Sequence, residues 1–173
     1  MSAASRGEKR PSPPAGCFTR SRGGMSEKCE TEFGLHGMTN QEIIQYFYEV
    51  LVSENKIEEL SSIVSSQCCL RVGDDVSCIG ARGMAEHIIA TKRTYPDYTI
   101  KIIRQYCDGE YVITEFLMAG THEGEWLGIK PSRQKLTFTG VNIDRVIDGK
   151  IVEHGGAVNT FETLLAANLI TAK

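Results

Sequence analysis

The chain has 173 residues, 41% hydrophobic and 24% charged, which suits one globular domain with a substantial core and is short for two. A net charge of −3 argues against electrostatic attraction to nucleic acid or to an anionic membrane. No run of about 18 apolar residues is present to form a membrane-spanning helix, and no apolar signal core follows Met1, so a cytoplasmic location is expected. The six cysteines (Cys17, Cys29, Cys68, Cys69, Cys78, Cys107) are scattered through a chain with an adequate core, which reads as reduced thiols. Cys68, Cys69, Cys78 and His87 lack the paired close spacings of a structural zinc site, and neither a metal nor a cofactor is expected.

Residues 1–37 hold three of the five prolines, many Ser and Gly, and no apolar periodicity, which predicts a disordered tail ahead of a domain over 38–173. Up to Gly24 the tail carries five basic residues against Glu8, so the remaining chain is acidic at −7. Its Arg/Ser-rich composition is also that of an organelle transit peptide, but Pro11, Pro13 and Pro14 interrupt any amphipathic helix there, and import is not the favoured reading.

Thr39 and Glu42 form a capping box, and Ile43, Ile44, Phe47, Val50 and Leu51 follow at helical spacing, predicting a first helix. A second, shorter helix is expected over 57–65 and a strand near 69–72. A third helix starts after Gly80–Gly83, with Met84, Ala85, Ile88 and Ile89 as its stripe, and ends near Tyr95 ahead of Pro96. From Tyr98 the period becomes two, with Tyr98, Ile100, Ile102 and Tyr106 on one face. Asp108-Gly109 turns the chain into a strand over 111–121. After a Gly-rich loop, strands over 136–147 and 151–157 flank Asp148-Gly149. A helix over 161–169 closes the chain. Helices first and meandering strands last is an α+β order, with a curved antiparallel sheet wrapped around helices.

Two ordered stretches carry more than periodicity does. The first is Gly120-Thr121-His122-Glu123-Gly124, continuing through Trp126 and Gly128 to Pro131-Ser132; the second is Arg145, Asp148-Gly149-Lys150-Ile151 and His154. Together they resemble the SnoaL-like polyketide or ester cyclases of the nuclear transport factor 2-like superfamily, over 39–170. The resemblance implies a cone-shaped α+β barrel with a pocket between sheet and helices, and a homodimer formed through the outer sheet face. It also exposes a departure. The family's general acid/base Asp, and the His and Gln that assist it, correspond to Gly156, Asn142 and Gly140.

Strand alternation puts Gly140, Asn142 and Asp144 on one face of the 136–147 strand. By analogy with the family this face lines the pocket, and His154, sharing the parity of Gly156, joins it from the next strand. Asp144 beside His154 in a partly dry cavity is then an acid/base candidate, with a structural Asp–His hydrogen bond as the plainer reading. Asn142 bears an amide and serves to orient a carbonyl. His122 reads as a loop anchor, and Trp126 as a lid or, preferably, a hydrophobic plug. Glu115, an acid in an apolar strand, is either a pocket base or, as favoured, an outer-face residue. Tyr46, Tyr48 and His87 read as core-edge residues, one of the tyrosines able to turn its hydroxyl inward.

These residues lead to a cofactor-free pocket for a small apolar carbonyl compound, catalysing aldol-type cyclisation or isomerisation with His154 as base and Asp144 orienting it. The alternative is a non-catalytic ligand-binding or dimerising module that has lost the acid/base. A ketosteroid-isomerase-like activity would need Glu115 as its base.

Overall fold

The computed structural model describes residues 37–171, and the tail assigned to 1–37 lies outside the described residues except for Gly37. The capping box forms as expected: the Thr39 amide donates to Glu42 Oε2 at 2.7 Å, and the Glu42 amide donates to Thr39 Oγ1 at 3.3 Å. It starts helix α1 (Asn40–Gln45), which widens into a π-helical stretch over Tyr46–Val52. Ile43, Ile44, Phe47, Tyr48, Leu51 and Val52 are all buried along this segment. A single inward stripe therefore survives the change of helical pitch.

Residues Ile57–Ser62 form a 3₁₀ turn rather than the longer helix expected, because the chain enters strand β1 (Val64–Val72) well before residue 69. β2 (Asp75–Cys78) was not anticipated and pairs antiparallel with β1. Helix α2 (Gly80–Thr94) ends before Pro96 as expected. Strands β3 (Thr99–Asp108), β4 (Tyr111–Thr121), β5 (Lys135–Ile147) and β6 (Lys150–Asn159) follow, and α3 (Phe161–Ala166) closes the described chain. At the β5–β6 turn both Asp148 (φ 48°) and Gly149 (φ 72°) take the left-handed conformation that a type I′ hairpin needs.

The six strands form one sheet in the order β2-β1-β6-β5-β4-β3. It is a curved, unclosed sheet and is not wholly antiparallel, since β1 runs parallel to β6. A parallel neighbour needs a long crossover, and everything from α2 to β5 supplies it. A bulge between Ile102 and Arg104 reverses the phase of β3, so Tyr106 faces outward and is 59% exposed instead of continuing the inner row of Ile100 and Ile102. No helix among the described residues is long and apolar enough to cross a membrane.

Among the described residues the reading of reduced thiols fails at Cys69, Cys78 and Cys107, which are disulfide-bonded. Cys69 and Cys78 are directly opposite in the β1–β2 register and are joined by a disulfide. The nine-residue separation concealed this because it is the hairpin that brings them together. Two of the four imagined zinc ligands are thus bonded to each other. Cys68 is buried and free; burial, with a smaller contribution from the Asp144 charge, pushes its thiol up to about 11, so it packs as a small apolar group.

Candidate active site

Inner rows of β4 and β5 meet the π-helical extension of α1 and α2 around a cavity of about 440 Å³, within the ordinary size range of small-molecule sites. Phe47, Met84, Tyr98, Phe116, Met118 and Phe138 make most of the wall apolar. Polar groups enter from α2 (His87, Thr91 and Thr94) as well as from β5, β6 and the π-helical segment.

Register places those groups. Asp144 is the cross-strand partner of His154, and Asn142 that of Gly156, so all four lie on the inner face, as the resemblance to the family implied. Asp144 is fully buried, and its Oδ1 accepts from His154 Nδ1 at 2.6 Å. Its other oxygen, Oδ2, accepts from the Tyr48 hydroxyl at 2.8 Å, and that hydroxyl in turn accepts from Asn142 Nδ2 at 2.8 Å. A buried carboxylate is tolerated only when hydrogen-bonded, and here each oxygen has a donor. Burial, followed by the adjacent Asp144 charge, holds the Tyr48 hydroxyl well above the usual phenol range, so it remains a donor at neutral pH.

Because an ionised carboxylate can only accept, the bond to Asp144 selects the tautomer of the neutral imidazole that carries its proton on Nδ1 and a lone pair on Nε2. His154 is 8% exposed, lines the cavity, and stacks edge-on against Phe47 at 5.7 Å between ring centres. The side chains therefore stand in the order imidazole, carboxylate, phenol and amide.

Tyr48 is the member that sequence reasoning left unassigned. Its signal was available: Ile44, Tyr48 and Leu51 fall on one helical stripe, so a tyrosine there must bring its hydroxyl inside. Tyr46 instead turns outward and donates to Glu59 at 2.7 Å. Replacing Tyr48 by Phe is expected to lower stability by about 1–3 kcal/mol, because Asp144 Oδ2 and the Asn142 amide would both lose their partner in a dry site; urea unfolding measures this.

The remaining candidates separate. Trp126 lines the cavity, is only half-buried and sits edge-on to Tyr95 at 6.3 Å, so it occupies the rim in a loop pinned by Trp126–Ile129 backbone bonds. His122 is wholly buried behind Tyr95 rather than in the cavity wall, with Nδ1 accepting from the Ser132 amide at 3.3 Å. Glu115 is not in the pocket. It shares the outward parity of Ile113 and Leu117 and pairs with Arg104 at 2.7 Å, which removes the base that a ketosteroid-isomerase-like mechanism would need. Gly140 faces inward, but the Phe116 ring occupies the space a side chain would take, so this position supplies packing and no polar group. His87 is exposed and lines the cavity from α2.

Gly156 has φ 154°, and an added Cβ would collide with the Val141 carbonyl oxygen and the Asn142 side chain. The Asn142 carboxamide leans into the room that this glycine leaves. The pair thus exchanges an acid on β6 for an amide reaching over from β5.

Among solved structures the chain is similar to AclR from Streptomyces galilaeus, provisionally assigned as a hydroxylase, at 17% identity and TM-score 0.67 over 77% of this chain and 87% of that one. It is similar to IdmH from Streptomyces antibioticus, provisionally assigned as a polyketide cyclase, at 21% identity and TM-score 0.65 over 76% and 99%. A SnoaL-like polyketide cyclase from Agrobacterium tumefaciens aligns at 12% identity and TM-score 0.66 over 76% and 98%. At these identities the likeness is one of fold. No curated protein matches the sequence. The family model for SnoaL-like polyketide cyclases matches residues 42–166, which contain the cavity and the Asp144–His154 pair, and the chain belongs to that family.

Proposed function

We propose that this protein performs acid/base chemistry beside a carbonyl: proton removal from the α carbon of an apolar carbonyl compound, followed by aldol-type ring closure or isomerisation through the enolate. The observation that carries this reading is the 2.6 Å bond from His154 Nδ1 to a fully buried Asp144 behind the cavity wall, which leaves Nε2 of the cavity-lining imidazole to act as the base. A surface Asp–His pair would offer no such shielding.

In this reading the α C–H bond breaks, its proton passes to His154 Nε2, and its electron pair enters the enolate. The enolate carbon then bonds to a second carbonyl carbon of the same molecule. The π bond of that carbonyl breaks, its electron pair moves to the oxygen, and this alkoxide takes the proton from the imidazolium, which returns His154 to its starting form. Asp144 stabilises the transient imidazolium and Tyr48 keeps that carboxylate in place. Asn142 gives one amide hydrogen to Tyr48, and its second is available to the carbonyl oxygen on which charge develops. The chain's own groups suffice for every transfer, without a cofactor.

A non-catalytic binding module is the competing reading, motivated by Gly156 at the family's acid position. Deuterium exchange separates the two. In heavy water the protein is expected to incorporate deuterium into the methyl group of 2-acetylnaphthalene faster than buffer alone, read by NMR. Binding of this ketone without any exchange above buffer would favour the binding module.

A homodimer through the outer sheet face belongs to the same reading. Tyr106, Ile113 and Ile143 form a cross-strand row on that face, with Ile143 49% exposed and Val141 beside it at 46%. A sheet face this apolar suits a second copy of itself. Light scattering is expected to give twice the chain mass at micromolar concentration, and Ile143→Lys to give the monomer; a wild-type monomer mass would sink the idea.

A further inference from the structure

In the exchange reaction the proton that His154 takes from carbon must leave for solvent, and a deuteron must return. His154 is poorly placed to do this alone. Its Nδ1 is committed to Asp144, its ring packs against Phe47 and Tyr48, and the residue is 8% exposed, so a ligand set against Nε2 covers what access remains.

The cavity offers few partners for such a transfer. Among the described residues no Lys, Arg, Asp, Glu or Cys lines it, so its titratable groups are the imidazoles of His87 and His154 and the phenols of Tyr48, Tyr95 and Tyr98. Burial raises all three phenols above their ordinary range, which leaves none of them able to exchange a proton at neutral pH. His87 remains.

His87 sits where α2 turns from cavity to solvent. It follows Met84 by three residues and precedes Ile88 by one, so it leaves the helix at the flank of the buried stripe, and it both lines the cavity and is exposed. Among the described residues no hydrogen bond or ion pair holds its imidazole, which is free to turn. Burial on the cavity side lowers its proton affinity below the ordinary imidazole value, the charge of His154 lowers it further, and no carboxylate opposes them. At neutral pH His87 is thus a neutral base within electrostatic reach of the site where an imidazolium forms.

We infer that His87 is the proton port of the cavity, the group that passes protons between His154 and solvent. The Nε2–H bond of the His154 imidazolium breaks, solvent in the cavity carries the proton to a ring nitrogen of His87, and His87 releases it to bulk water or to a buffer base. In heavy water the reverse path brings a deuteron to His154 Nε2, and the enolate carbon takes it. This inference rests on His154 being the base described above, and adds the route by which its proton is renewed. His87 acts through His154 and does not itself touch the reacting carbon.

The test is deuterium incorporation into 2-acetylnaphthalene by wild type and His87→Gln, in dilute phosphate and again with added imidazole, each corrected for the protein-free rate. Trp126, the sole tryptophan, lies at the cavity rim and reports binding of the probe by fluorescence quenching. In dilute buffer His87→Gln is expected to exchange about ten- to a hundredfold more slowly than wild type, a smaller loss than removal of the base itself. Added imidazole should restore its rate to within about threefold of wild type, because a mobile base replaces the missing port. Probe binding and melting temperature should stay near wild type, since the side chain removed makes no contact that holds the fold. A buffer-dependent rescue is not what a merely structural role would produce. Exchange by His87→Gln at the wild-type rate in dilute buffer, or a loss that imidazole does not repair, would overturn the inference while leaving His154 as the base. If wild type exchanges no faster than buffer alone, the catalytic reading fails and takes the port with it.

Discussion

Replacing His154 by Gln is expected to reduce α-proton exchange, and turnover of any cyclisation substrate, by about a hundred- to ten-thousand-fold, the usual cost of removing a general base. The geometry makes this variant informative. Gln is close in size to His and can donate its amide to Asp144 Oδ1, so the buried carboxylate keeps a donor on each oxygen and the fold should persist. It has no lone pair basic enough to take a proton from carbon. Quenching of Trp126 by 2-acetylnaphthalene should therefore stay near wild type while the exchange rate falls. Asp144→Asn is the companion variant. It keeps the shape but presents a neutral amide to His154, so the imidazolium loses its counter-charge and the rate should fall with binding retained. If wild type exchanges the probe faster than buffer and both variants do so equally well, the base lies elsewhere.

The second large effect runs against the family pattern. Gly156→Asp puts an acid back at the family's position and would add activity only if the rest of the pocket suits it. The geometry around Gly156 argues against that: the change should cost about 3 kcal/mol or more and yield no gain in activity. A side chain at 156 must adopt φ 154°, where L residues are strained, and its first carbon meets the Val141 carbonyl and the Asn142 side chain. For a domain of this size that corresponds to a melting temperature lower by roughly 6–12 °C. Gly156→Ala isolates the steric part, because it adds the carbon without the charge, and should account for most of the loss. Equal stability of wild type and Gly156→Ala would show that Asn142 moves aside freely, and the amide would then be a replaceable neighbour. The double variant Asn142→Gly with Gly156→Asp should recover part of the lost stability, since it vacates the space that Asn142 occupies.

What could be read without coordinates was whatever depends on local period and on ordered motifs. The capping box at Thr39 and Glu42, the stop of α2 before Pro96 and the Asp148-Gly149 hairpin are short-range events, decided by backbone conformation within a few residues, and each forms as read. The period-two row of β5 placed Asn142 and Asp144 on one face, but the Asp148-Gly149 hairpin alone would pair Asp144 with Glu153; a bulge between Arg145 and Val146 shifts the register by one and brings His154 opposite Asp144. The family followed from the spacing of His122, Gly124, Gly128, Pro131 and the Arg145-to-His154 stretch.

Only the tertiary structure decided the rest, because those features join residues far apart in the chain. Tyr48 reaches Asp144 across 96 positions, and no local pattern fixes which hydroxyl meets which carboxylate. The parallel pairing of β1 with β6 and the Cys69–Cys78 bridge depend on a crossover and on a hairpin that the sequence did not announce. Glu115 was ambiguous because alternation says which residues share a face but not which face is concave; curvature toward the helices settles that, and turns Glu115 to Arg104. Gly156 is the clearest case. As a letter in a pattern it is a missing acid, whereas in three dimensions it is the space that lets Asn142 stand beside Tyr48, and only packing can tell the two apart.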